Sequence, residues 1–160
     1  MRVFISHSST DEKFADHIRD FLTKVGFQVW DPDRDLLPGS NWLTETGRAL
    51  EHADAVVLLL SDASLRSEFS KREIQYVTTQ QKYENRVVPV RLGTGAGKVP
   101  WILRNLSVIE APAQDPEGTA RLIATRLEKP PVRSRSRKRP VRDTPAPKAK
   151  PARRRATRGA

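Results

Sequence analysis

Residues 55–60 read AVVLLL, apolar at every position. A strand with one face in water alternates apolar and polar residues. One that never alternates must be covered on both faces, as in the centre of a parallel sheet with helices on either side. The rest of the chain therefore has to supply those helices, and its periodicity does. RVFIS (2–6) is a β-rich run. A helix-start cluster at Ser9–Glu12 follows it, and Phe14, Ile18, Phe21, Leu22 and Val25 then mark one helical face that Gly26 closes. FQVW (27–30) is a short second strand and DPDRDLLPGSNW (31–42) a loop punctuated by Pro and Gly. A helix is predicted over about 41–52 and, after AVVLLL, another over about 68–82. RVVPVRL (86–92) is a fourth strand whose Pro89 suits an edge or a bulge. SVIEA (107–111) is a short fifth strand, and Ala120, Ile123, Ala124 and Leu127 mark a last helix.

This alternation specifies an α/β domain with a mostly parallel five-stranded sheet and helices on both sides. Right-handed crossovers leave few topologies. At this length the expected one is the flavodoxin-like three-layer order 2-1-3-4-5, with a ligand crevice at the carboxyl ends of strands 1 and 3. Ser6, His7 and Ser8 would line that crevice after strand 1, Asp31 to Asp35 after strand 2, and Ser61 to Ser67 after strand 3. Glu73, early in the next helix, can face it. Glu73 also stands three residues after Ser70, the spacing of a capping box, and a purely structural capping role stays open beside a catalytic one.

The domain is expected to span residues 1–128. From Lys129 onward the composition changes: residues 129–160 hold 13 of the 29 Lys and Arg, six of the twelve prolines and no aromatic residue. Only Asp143 is acidic there, so this segment carries 13 − 1 = +12 of the chain's +10 net charge, and the remainder is −2. Such a segment cannot bury enough apolar surface to fold and is read as a disordered basic tail. RSRSRKR and ARRR suit salt-dependent contact with nucleic acid or another polyanion, or simple solubilisation. There is no cysteine, and the three histidines are scattered, which argues against disulfides and a metal centre. The amino-terminal run lacks the apolar stretch of a secretory signal, and AVVLLL is too short to span a bilayer, so a cytoplasmic protein without membrane contact is expected.

Several common occupants of this architecture fail on chemistry. The first strand-to-helix turn, SHSSTDE, has no glycine to cradle a dinucleotide pyrophosphate, and GTGAG (93–97) follows strand 4 without clearly opening a helix. Strand 1 ends in Ser6-His7 rather than the acidic residues of a phosphate-receiver domain. No G-x-S-x-G elbow is present.

Three stretches in order carry a resemblance: Phe4-Ile5-Ser6-His7, Arg34-Asp35-Leu36-Leu37-Pro38-Gly39, and Ser67-Glu68-Phe69-Ser70-Lys71-Arg72-Glu73. Over about residues 2–128 the chain resembles a Toll/interleukin-1 receptor (TIR) domain of the bacterial, NAD-cleaving type. They correspond to the first box, the second-box loop used for gating and self-association, and the S-x-W-C-x-x-E stretch with its catalytic Glu. Phe69 and Ser70 replace the usual Trp and Cys, and the third box is not clear. The resemblance implies a catalytic role for Glu73 in an NAD+ glycohydrolase or ADP-ribosyl cyclase of antiphage or stress immunity. NAD+ is then the substrate, with no separate cofactor, and homotypic assembly completes the site. Nicotinamide leaves as a neutral molecule, so one carboxylate suffices to hold the ribose hydroxyls and to stabilise the developing cation.

Ser6, His7, Asp31, Asp35, Leu36, Trp42 and Ser67 are the candidate substrate contacts. Each has a structural alternative. Ser67 can cap a helix, His7 can be a satisfied polar residue, and Asp31, Asp33 and Asp35 can stabilise their loop. Trp30 and Phe69 read as core, whereas Trp42 is the better candidate to stack on a base. Leu36 and Leu37 suggest a contact surface or a lid. A non-catalytic homotypic adaptor is the alternative function, with the tail as a third possibility.

Overall fold

The computed structural model describes residues 1–93, 99–112 and 115–129, apart from the Asp33 side chain. GTGAG and the basic segment therefore lie almost wholly outside the described residues. Five strands form one sheet in the order β2-β1-β3-β4-β5: β1 Arg2–Ser6, β2 Gln28–Trp30, β3 Ala55–Leu60, β4 Val87–Leu92 and β5 Ile109–Ala111. Every pairing is parallel, and β1 lies between β2 and β3, with Phe4 opposite Trp30 on one side and Val56 on the other.

The helices are α1 Glu12–Lys24, α2 Pro32–Asp35, α3 Trp42–His52, α4 Asp62–Arg66, α5 Glu68–Thr79 and α6 Pro116–Glu128. Strand parity divides the core in two. Val3, Ile5, Val57 and Leu59 pack with Ala15, Ile18 and Leu22 of α1 and with Ile123 and Leu127 of α6. Phe4, Val56, Leu58 and Leu60 pack on the other face with Leu50 of α3 and with Ile74 and Val77 of α5. The all-apolar 55–60 run serves both cores, and every one of its residues is buried.

Local signals account for the boundaries. Helix α1 ends because Gly26 takes φ +101, a conformation that a side chain disfavours. Its N–H bonds Thr23 O while that of Phe27 bonds Leu22 O, closing the helix in a Schellman motif. Asn41 caps α3, its side chain accepting from Thr44 N at 3.1 Å.

Three expectations change. Pro89 lies inside an interior strand, between β3 and β5, not at an edge or bulge. Arg86 accepts from Val56 on the β3 side, so Pro89, an odd number of residues on, turns its missing N–H toward β5, whose pairing begins only at Val90. The segment after β2 is not all loop, because its Pro32–Asp35 turn is helical. Finally, α5 stops at Thr79 and a short 3-10 turn covers Gln81–Tyr83.

Candidate functional site

The site sits at the carboxyl ends of β1 and β2 and under the start of α5. Ser67 caps α5, accepting from Ser70 N at 3.3 Å. The cap of this helix is therefore Ser67, and Ser70 is its third residue. Glu73, the sixth, is too far along to act in the cap, which removes the capping explanation for it. The buried residues of α5 are Ser70, Glu73, Ile74 and Val77, a stripe at helical spacing that turns Glu73 toward the sheet. Ser6 has the same strand parity as Phe4 and so faces α5.

The two meet. Ser6 Oγ donates to Glu73 Oε2 in a buried hydrogen bond. The other carboxylate oxygen, Oε1, is buried with no hydrogen-bond partner. The residue is 4% exposed. Burial pushes its pKa up from 4.5 to about 7, against the Ser6 hydrogen bond and the charge of His7, which both favour the ionised form. A carboxyl group poised near neutrality, with one oxygen seeking a donor, is unusual outside functional sites.

Glu73 opens into a cavity of about 250 Å³ whose wall includes His7, Ser8, Pro32, Trp42, Ser67, Phe69 and Ser70. Trp42, from the start of α3, and Phe69, from the start of α5, approach to 3.8 Å between ring centroids at 52° and form its aromatic side. His7 Nε2 lies 3.0 Å from Asp31 Oδ1.

Of the residues singled out from sequence, His7, Trp42, Ser67 and Glu73 line this cavity, and Ser6 reaches it through Glu73. Asp31 stands behind His7 rather than in the wall. Asp35 ties the loop together, accepting from Asp31 N at 2.8 Å and from Arg19 at 2.9 Å. Leu36 is half-buried and outside the cavity wall. Trp30 stacks on Phe4 at 5.2 Å in the core. Phe69, read as core, is instead a cavity residue. Its place as the second residue after the Ser67 cap, just off the buried stripe, is the signal that pointed to it.

A second cleft of about 310 Å³ lies at the opposite, amino ends of β1 and β2, near Arg2, Gln28, Glu45, Arg48 and His52. None of its ionisable side chains is buried.

Comparison with known proteins agrees with this architecture. A family model described as TIR domain matches residues 3–123. The stimulator of interferon genes protein of Magallana gigas is 35% identical over 111 residues, covering 67% of this chain and 27% of its own length. A solved metazoan TIR-STING receptor from C. gigas, in complex with 2',3'-cGAMP, superposes with a TM-score of 0.68 at 32% identity, over 80% of this chain and 39% of that one. This chain thus spans about a quarter to two fifths of these relatives. The TIR domain of a Toll-related receptor from Hydra magnipapillata (TM-score 0.59, 16% identity, 78% and 91% covered) shares the fold. So does a prokaryotic SEFIR domain (0.60, 17%, 82% and 98%).

Proposed function

This chain belongs to the TIR domain family, and we propose that it cleaves the bond between nicotinamide and ribose in NAD+. The observation that carries this reading is the buried Glu73 carboxyl, held through one oxygen by Ser6 and presenting the other, unpartnered, beside an aromatic-walled cavity. Oε1 accepts from a ribose hydroxyl. As the C1'–N1 bond breaks, its electron pair leaves with nicotinamide, which departs neutral, and the positive charge passes to the anomeric carbon. An ionised Glu73 at this buried position stabilises that charge. Water then adds at C1' and loses a proton, giving ADP-ribose, or a nucleophile of the same molecule adds and gives a cyclic isomer. Trp42 and Phe69 supply the apolar aromatic wall against which a base packs.

The cavity, at about 250 Å³, is smaller than the roughly 300–1,000 Å³ usual for ligand pockets. A cavity of this size is too small to enclose a whole dinucleotide, which supports activation by self-association. Leu37, 77% exposed in the loop before α3, and Leu43, 60% exposed, offer the apolar contact. We place the activity in antiphage or stress immunity, in keeping with the likeness to a stimulator of interferon genes protein. The same exposed leucines also fit a non-catalytic homotypic adaptor. Incubation with NAD+ and identification of products by mass separates the two. The enzyme releases nicotinamide, and Glu73→Gln slows it by about 10²–10³-fold or more. An adaptor leaves NAD+ intact in both forms.

A further inference from the structure

Beside Glu73 lies a buried ionisable pair. The side chains of His7 and Asp31 are each 1% exposed. His7 Nδ1 is 2.9 Å from the Ser8 carbonyl oxygen, and Nε2 is 3.0 Å from Asp31 Oδ1. A carbonyl oxygen can only accept, so Nδ1 carries a proton. With Asp31 as the carboxylate anion its oxygen can only accept, so Nε2 carries one as well. A ring with a proton on each nitrogen is the imidazolium cation. Either neutral tautomer would set a ring lone pair against an oxygen lone pair between two buried side chains, at the cost of an unmade buried hydrogen bond.

The surroundings hold this arrangement. The backbone N–H of Asp31 is bound by Asp35, which is bound in turn by Arg19 of α1, so the carboxylate that faces His7 is pinned from behind. His7 lies in the cavity wall and Asp31 does not. His7 and Glu73 are the two ionisable groups of that wall among the described residues, and α3 presents Trp42 there, without charge. Ser6, which binds Glu73, immediately precedes His7, so one strand end delivers both the hydrogen bond and the cation.

We propose that His7 is a positioning residue for Glu73: held doubly protonated between Asp31 and the Ser8 carbonyl, it supplies a positive field that favours the ionised form of the buried carboxyl, whose second oxygen is left for substrate. This rests on the reading of Glu73 as the group that meets the ribose. A flat ring pinned in the wall brings the charge without filling the small cavity, as a lysine or arginine chain would.

The test is an NMR titration of the full chain carrying ¹⁵N-histidine and ¹³C-carboxyl-labelled glutamate, compared with His7→Gln and Asp31→Asn. The His7 signals are identified by their loss in His7→Gln. Both ring nitrogens of His7 are expected to be protonated through neutral pH in the parent chain, and one of them to lose its proton in Asp31→Asn. The Glu73 carboxyl midpoint is expected to rise by ~1 pH unit in each variant, the usual effect of removing a neighbouring opposite charge. The acid limb of kcat/KM for NAD+ moves with it. A merely structural role would lower the rate at every pH and leave the limb in place. A singly protonated His7 at neutral pH, or a Glu73 midpoint unmoved in both variants, overturns the proposal. Because the titration is read without substrate, a shifted midpoint in a chain that leaves NAD+ intact upholds this inference and overturns the glycosidic reading alone. If His7→Gln does not fold, Asp31→Asn carries the test.

Discussion

Ser6, the last residue of β1, hydrogen-bonds Glu73, which lies 67 residues further on in the second turn of α5. This bond is the only one an oxygen of that carboxyl makes among the described residues, and it favours the ionised form. Ser6→Ala leaves both oxygens without a donor. The expected outcome is a loss of ~1–2 kcal/mol in urea denaturation above neutral pH, together with a Glu73 titration displaced further upward.

Stability should also respond to pH through Glu73. Its carboxyl is raised from 4.5 to about 7 in the folded chain, so the folded state holds the proton more tightly than the unfolded one. The contribution is full below 4.5 and is lost as pH rises through about 7. The whole shift corresponds to ~3 kcal/mol. Glu73→Gln, which never ionises, should therefore be more stable than the parent at about pH 8 by up to that amount, with the difference vanishing near pH 4.5. Denaturant melts at the two pH values check it.

Catalysis should show the opposite sign. The proposed step needs the ionised carboxyl, so kcat/KM for NAD+ falls as pH drops below about 7. A bound pyridinium cation favours ionisation, so the acid limb of kcat should lie ~1 pH unit below that of kcat/KM. Pulsed pH–rate profiles of both parameters measure the separation.

The aromatic side of the cavity should act on binding. Trp42→Ala removes one of the two rings that meet at 3.8 Å. Stacking on a base is worth ~1–3 kcal/mol, so KM for NAD+ should rise about tenfold or more, with a smaller effect on kcat.

Self-association should be separable from folding. Leu37 is exposed and outside both cores, so Leu37→Asp should change stability by no more than ~0.5 kcal/mol. Its specific activity should nevertheless lose the rise with protein concentration expected of the parent chain, by tenfold or more at the top of the range. Turnover against concentration, with light scattering, reads both.

Much of this fold is legible in local pattern. AVVLLL announces a strand covered on both faces, and it lies between β1 and β4. The 14-18-21-22-25 spacing announces α1, and Gly26 its end. Pro89 misleads because the rule against proline in interior strands assumes a partner on both sides, and β5 is too short to reach it. Within the site, His7 and Glu73 do share one crevice, but it lies at the ends of β1 and β2 under α5 and not between strands 1 and 3 as expected, and of the segment 61–67 only Ser67 reaches it. Asp35 and Leu36 share the crevice's sequence neighbourhood but not its wall, because Asp35 is taken up by Arg19 and Asp31 N. Ser70 and Glu73 have capping-box spacing, yet the cap is Ser67, and spacing alone does not say where a helix begins.

By itself the sequence determined the strands, the helices between them and the end of the sheet at which chemistry can occur, since hydrophobic periodicity and turn residues act over a few neighbours. Only the tertiary structure decided that Glu73 is buried against Ser6 with one oxygen unpartnered, that His7 is held between Asp31 and the Ser8 carbonyl, and that Phe69 meets Trp42. A carboxyl's affinity for its proton depends on how much water and which charges surround it. Those surroundings are assembled from residues far apart in the chain, which no local pattern records.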